Sequence, residues 1–164
     1  MISAMTPDPI IDLTSDAYFM GEALRQARLA YETDEVPIGA VIVQDGKVIA
    51  RAHNQVELLK DATAHAEMLA LTQAAHAHGD WRLEGMTLYV TKEPCPMCAG
   101  AITLSRIQRV VFGVRDDKAG GAGSVFAITS QGGLNHTVEV VPGVKEDEAR
   151  QLLVGFFRQR RIGS

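Results

Sequence analysis

The sequence predicts an α/β protein, a three-layer α/β/α sandwich around a mixed central sheet of about five strands. Three observations predict it. Stretches with apolar residues at spacings of three and four alternate with short β-branched runs, the pattern of helices laid over both faces of a sheet. An Asp45-Gly46 pair between two apolar runs marks an early hairpin, so the sheet is mixed rather than purely parallel. No repeat, low-complexity tract or linker interrupts a chain of 164 residues that is 46% hydrophobic and 22% charged, which suits one domain with its own core.

Taken in order, residues 1–14 carry Pro7, Pro9 and small polar residues without apolar periodicity and read as a loose arm ahead of a domain over 15–164. From Ser15, a candidate N-cap, the residues Ala17, Met20, Leu24, Ala27 and Tyr31 fall on one face of an amphipathic helix. The hairpin follows, with strands over 38–44 and 47–52. A second helix is expected over 64–77, stopping at Gly79, which is free to take the left-handed conformation that ends helices. Residues 87–91 read as a strand entering Glu93-Pro94-Cys95-Pro96-Met97-Cys98. Because proline suits a helix's first turn, a third helix is expected from Pro96 to about Ser105. Residues 109–114 are a short strand, and the glycine- and charge-rich segment 115–124 reads as a surface loop. A last strand is expected over 137–141 and a last helix over 145–159, with Ala149, Leu152, Leu153 and Phe156 facing inward.

Composition excludes several classes. The two cysteines, Cys95 and Cys98, are too few and too close for a secreted disulfide framework, so the pair reads as metal-binding or redox-active in a reducing compartment. With no stretch long enough to span a bilayer and no signal-like start, the expectation is a soluble cytoplasmic protein with no membrane partner. A net charge of −4 argues against nucleic-acid binding driven by overall charge, although the end of the chain, Phe156-Phe157-Arg158-Gln159-Arg160-Arg161, is locally basic. Those arginines suit either the negative pole of a helix or an RNA backbone.

The chemistry gathers in two segments. Zinc sites that do chemistry take three protein ligands and keep a fourth position for water. Cys95 and Cys98, spaced i and i+3 beside two prolines at the start of a helix, supply two ligands where exposed N–H groups favour thiolates. No further cysteine exists, so the third ligand is a histidine or carboxylate and the site stays open. Of His53, His65, His76, His78 and His136, His65 has the strongest claim, because it opens a helix and Glu67 follows two residues later. In mid-helix such a pair points about 200° apart, but in a first turn both side chains lean over the N-terminal end. His65 can then hold zinc, one ion per chain, while Glu67 moves protons to and from a water whose pKa zinc lowers to about 7. His76 and His78 suit a solvated helix end, and His53 and His136 stand at strand ends. A lone Cys-x-x-Cys would equally suit a redox dithiol, but His-Ala-Glu followed by Pro-Cys-x-x-Cys satisfies ligand count, open coordination and a base together. This is the known signature of zinc deaminases of nucleobases, matched here rather than deduced.

On these residues the chain resembles the bacterial tRNA-specific adenosine deaminases, of the cytidine-deaminase-like fold, from about Tyr18 to Arg161. Thr63-Ala64-His65-Ala66-Glu67 resembles the family's metal-and-base motif, and 88–101, Leu-Tyr-Val-Thr-Lys-Glu-Pro-Cys-Pro-Met-Cys-Ala-Gly-Ala, its thiolate motif. Glu35-Val36-Pro37-Ile38-Gly39-Ala40, Ser105-Arg106-Ile107, the segment 110–116, Gly123-Ser124, Asn135-His136 and Phe156-Phe157-Arg158 resemble its tRNA branch. It departs at Lys92, Pro96 and Val114, and the N-terminal arm is unmatched. The resemblance implies hydrolysis of adenosine to inosine at the wobble position of a tRNA anticodon stem-loop, in a homodimer. It further implies that Asn54 hydrogen-bonds the flipped nucleoside, that Pro37, Ile38, Ala66 and Val90 wall its pocket, and that Asp116 sits at the mouth. Arg115, Lys118, Arg158, Arg160 and Arg161 are the candidates for RNA contacts. The rival readings are a deaminase of a free nucleobase or nucleoside with the same zinc machinery, a zinc-stabilised interaction module, which the missing fourth ligand opposes, and a redox dithiol, which leaves Glu67 without a role.

Overall fold

The computed structural model describes residues 12–162, so most of the expected arm, residues 1–11, lies outside the described residues. Asp12 already forms a turn ahead of the first helix, accepting from the backbone and hydroxyl of Thr14 at 2.9 and 2.6 Å. Helix α1 (Asp16–Glu32) starts where expected, with the Ser15 hydroxyl accepting from Tyr18 N–H at 3.1 Å. Its buried face is Phe19, Met20, Ala23, Leu24, Ala27 and Ala30. Ala17, expected on that face, is exposed.

Strands β1 (Gly39–Gln44) and β2 (Lys47–His53) form the hairpin. Both turn residues take positive φ, Asp45 at 50° and Gly46 at 76°, the mirror-image turn that matches strand twist. A register shift between Ile42 and Val43 marks a bulge in this pair. A four-residue helix α2 (Val56–Leu59), which has too few residues to show a period, precedes α3 (Ala66–His78), and α3 stops at Gly79 as expected. Strand β3 (Thr87–Lys92) leads to α4 (Pro96–Leu104), then β4 (Arg109–Val114), a 3-10 turn at Ile128–Ser130, β5 (Glu139–Val141) and α5 (Glu146–Ile162).

The sheet has five strands in the order β2-β1-β3-β4-β5. β1 is antiparallel to both neighbours, while β3, β4 and β5 run parallel. Strands β2 and β3, each antiparallel to β1, therefore point the same way, and the carboxyl ends of β2 to β5 share one edge. On one face, Ala40, Ile42, Leu88, Val90, Val110 and Phe112 pack with Ala70, Leu71 and Ala74 of α3 and Ile102 of α4. On the other, Val41, Val43, Tyr89 and Val111 pack with Phe19, Met20 and Leu24 of α1 and Ala149 of α5. The alternation along each strand serves both layers. Side chains such as Phe112, Met20, Leu24 and Ile42 are fully buried and each contributes about 1.5–3 kcal/mol of apolar burial. The three-layer sandwich with a mixed sheet of five strands is thus the observed fold.

Candidate active site

Both chemical motifs open helices at the shared carboxyl edge of the strands. His65 is the N-cap of α3 and Cys95 the N-cap of α4, and neither side chain makes a capping hydrogen bond. Both side chains point instead at one place. His65 Nδ1 lies 3.6 Å from Cys95 Sγ and 3.5 Å from Cys98 Sγ, and the three donor atoms all lie within 4.8 Å of one another. In tetrahedral zinc, with Zn–S about 2.3 Å and Zn–N about 2.0–2.1 Å, the edge between a nitrogen and a sulfur ligand is about 3.6 Å. The donor set therefore fits zinc in chemistry and in spacing. His65 and Cys95 are half-buried and Cys98 is fully buried, which leaves one side open.

The electrostatics agree. Cys95 is held down to about 4, chiefly by the hydrogen bond from Cys98 and further by His65, against the opposing effect of burial. Cys98 is pushed far above the ordinary thiol value, because it donates to Cys95 and is buried. The His65 imidazole is held above its ordinary value, chiefly by its hydrogen bond to the Cys95 sulfur and against burial. Glu67, at the second position of α3, is only 4% exposed, and burial raises its carboxyl above the usual range. It does not belong to the ligand group.

His65, Ala66 and Glu67 form the floor of a cavity of about 230 Å³ whose walls are Glu35, Val36, Ile38, Asn54 and Val56, with the exposed Glu57 and Arg160 toward the rim. Apolar walls with a few convergent polar groups are the usual make-up of a small-ligand site.

A family model for the MafB19-like deaminases matches residues 14–161. The tRNA-specific adenosine deaminase of Bacillus subtilis (strain 168) is 52% identical over 149 residues, covering 91% of this chain and 92% of its own. The chain belongs to the tRNA-specific adenosine deaminases, within the MafB19-like deaminase family. A solved tRNA:A34 deaminase, studied for A-to-I editing at the wobble position of transfer RNA, superposes with a TM-score of 0.80 at 48% identity, covering 83% of this chain and 99% of that one. A guanine deaminase from Nitrosomonas europaea shares the fold at a TM-score of 0.75, with 25% identity and 95% of each chain covered.

In this member of the family, Asn54, Ile38 and Ala66 line the cavity, whereas Pro37, Val90 and Asp116 do not. Pro37 is buried, and Val90 is wholly enclosed in the core between the sheet and α3. Asp116 is tied back, paired with Lys92 at 3.2 Å and accepting from the backbone of Lys118 and Ala119. Asn54 is 6% exposed and loosely held: its Nδ2 donates to Val36 O and its Oδ1 accepts from Val56 N–H, both at 3.4 Å. Contacts of that length leave the amide able to turn to a ligand.

Of the basic candidates, Arg115, Lys118 and Arg158 are exposed. Arg160 is brought to the cavity rim, a placement that reading the helix end by itself did not show. Sequence reasoning also missed Glu35, 3% exposed, whose carboxylate accepts from the backbone of Glu57 at 2.8 Å and Leu58 at 3.0 Å and so builds α2 into the wall. Its signal in the sequence was its place at the head of the family-like stretch Glu35-Val36-Pro37-Ile38-Gly39-Ala40, which gave it no role of its own. Among the other histidines, His136 donates to Ile107 O at 2.7 Å, and His76 and His78 are exposed at the end of α3.

Proposed function

We propose that this chain catalyses zinc-dependent hydrolytic deamination of adenosine to inosine at the wobble position of a tRNA anticodon, with zinc held by His65, Cys95 and Cys98. The observation that carries the reading is the meeting of these three donors at zinc-like spacing beside the buried Glu67, at the floor of a cavity of about 230 Å³. When bound, zinc supplies activation of a water near neutral pH.

The chain's own groups do the rest. The Glu67 carboxylate takes a proton from the attacking water and gives it to N1 of the adenine ring. The oxygen bonds to C6, the C6–N6 bond breaks, and Glu67 passes a second proton to the amine, which leaves as ammonia. A carboxyl raised by burial is suited to both directions of this transfer. Asn54 turns its amide to the nucleoside, and Ile38 and Ala66 hold the ring over Glu67. RNA binding falls to local charge, on Arg115 and Lys118 of the 115–124 segment and Arg158, Arg160 and Arg161 of α5, because the chain as a whole is at −4.

Residues 15–164 form the deaminase domain in this proposal, and the working form is a homodimer in the cytoplasm. No helix among the described residues is long and apolar enough to cross a membrane.

Incubating the zinc-loaded protein with an anticodon stem-loop carrying a wobble adenosine should yield inosine, while free adenosine should react far more slowly, since remote RNA contacts supply the binding energy that extrudes and orients the base. Equal kcat/KM for the stem-loop and the nucleoside would replace this reading with that of a free-nucleoside deaminase.

A further inference from the structure

Immediately after β3 stands Glu93, a carboxylate only 3% exposed. A carboxyl group so deep in the protein is costly to bury unless its oxygens are satisfied. They are: Oε1 accepts from Asp116 N–H at 3.1 Å and from the Ser124 hydroxyl, and Oε2 accepts from Ala122 N–H and Ser124 N–H, each at 3.1 Å. All four donors belong to the segment that reads from sequence as a surface loop. The carboxylate gathers that loop and folds it inward, so that Gly120, Gly121 and Ala122 are buried.

The gathered loop meets the cysteine segment backbone to backbone. Gly121 N–H donates to Pro94 O at 2.7 Å. A Cβ at position 121 would stand 3.0 Å from the carbonyl carbon and oxygen of Cys95 and from the Ala99 Cβ, so glycine admits this approach without the neighbours having to give way. On its other side the Cys95 carbonyl accepts from Ala99 N–H at 2.8 Å, the first turn of α4. The Pro94-Cys95 backbone is thereby clamped between α4 and the loop that Glu93 holds. Glu93 is neither one of the three ligands nor a lining residue of the cavity.

We infer that Glu93 is a positioning residue for the metal site: through the loop and the Gly121–Pro94 hydrogen bond it fixes the backbone carrying Cys95, and so sets how tightly and in what geometry the site holds zinc. This rests on the zinc reading proposed above. Groups that orient metal ligands from behind are typically worth about 10–100-fold in metal affinity. A residue serving only general stability would lower the melting temperature and leave the site's affinity in the folded protein untouched.

The test measures zinc affinity by competition with a chromophoric chelator, and the visible spectrum of the cobalt-substituted protein, for the full chain and for Glu93→Gln and Ser124→Ala. Glu93→Gln keeps the size but replaces one accepting oxygen with a donor facing other donors. It should weaken zinc about 10–100-fold and alter the cobalt–thiolate bands. A folded Glu93→Gln protein with wild-type zinc affinity and an unchanged cobalt spectrum overturns the inference, whatever its melting temperature. Should Glu93→Gln fail to fold, Ser124→Ala decides, since it removes one hydroxyl donor: several-fold weaker zinc supports the role, and unchanged affinity overturns it. A wild-type protein that binds no zinc sinks the metal reading and this inference together, whereas wild-type binding with unaffected variants sinks this inference alone.

Discussion

Arg160, near the end of α5, donates from its guanidinium to the backbone carbonyl of Asp34 at 3.1 Å, across 126 residues of sequence. The Asp34 carboxylate stands 3.8 Å away, and the guanidinium lies 4.7 Å from the centre of the Phe156 ring. The last helix is thus pinned to the rim of the cavity by one of the three arginines of the basic chain end. Replacing Arg160 with glutamine should change stability by less than about 1 kcal/mol, because the pair is exposed. Replacing Arg158, Arg160 and Arg161 together should weaken stem-loop binding and flatten the slope of log K against log salt by up to about 2, at about 0.7 per phosphate contact. An unchanged slope in a folded triple variant would assign these arginines to the helix end and the rim alone.

The division of labour between ligands and base gives the second prediction. Cys98→Ala should lose zinc and stability together, because a ligand's binding energy is also folding energy. Glu67→Ala should retain zinc and lose turnover by at least about 10²–10⁴-fold. Metal analysis of the purified variants checks both. Zinc retained by His65→Ala and lost from Glu67→Ala would reverse the assigned roles.

A third prediction concerns acid. Arg109 grips both oxygens of Asp16 at 3.1 and 2.8 Å, and Tyr89 OH donates to the same carboxylate at 2.8 Å, linking α1 to β3 and β4. Asp16 is held below the ordinary carboxylate value, chiefly by the Arg109 hydrogen bond, against burial. A depressed pKa contributes stability that is present above the unfolded value of about 3.9 and is lost as pH falls through the folded value. The gap in melting temperature between wild type and Asp16→Asn should therefore be flat from about pH 7 to 5 and close below about pH 4. Loss of metal in acid affects both proteins and cancels in the difference. A gap undiminished at about pH 3 would show that the carboxylate's charge is not what the contact uses.

How much of this was legible in the sequence follows from how local each feature is. The Asp45-Gly46 turn, the Ser15 cap and the β-branched runs of β3 and β4 are decided by neighbours in the chain, and they stand where expected. So do His65 and Cys95 at helix starts, because ligand spacing is itself a local constraint. Helix α2 was not legible, since what holds it is the Glu35 carboxylate more than twenty residues away. For the same reason the segment 115–124 looks like a solvated loop until Glu93 is seen to gather it. The cavity walls come from separate elements, so the sequence pointed to Asn54, Ile38 and Ala66 through family likeness and not through spacing.

The fourth prediction tests the seat of α1 on the sheet. A Cβ at Gly39 would run into the backbone of Ala23 and Ala27 and stand 2.7 Å from the Cβ of Gln26, all of them in α1. Gly39→Ala should therefore cost about 3 kcal/mol, at the upper end of ordinary overpacking, as measured by denaturant unfolding of the zinc-loaded protein. A loss below about 0.5 kcal/mol would mean that the helix is free to lift away from β1.

The shared carboxyl edge of β2 to β5 has a further consequence for how such an enzyme changes over time. The groups proposed to react sit on two helix starts anchored in the core, while α2 and the end of α5, which border the cavity, are attached around them by a few polar contacts. Mutations can therefore accumulate in the outer parts and alter which molecule is admitted while the hydrolytic centre stays as it is. The architecture keeps invention in substrate choice separate from the risk of losing the reaction.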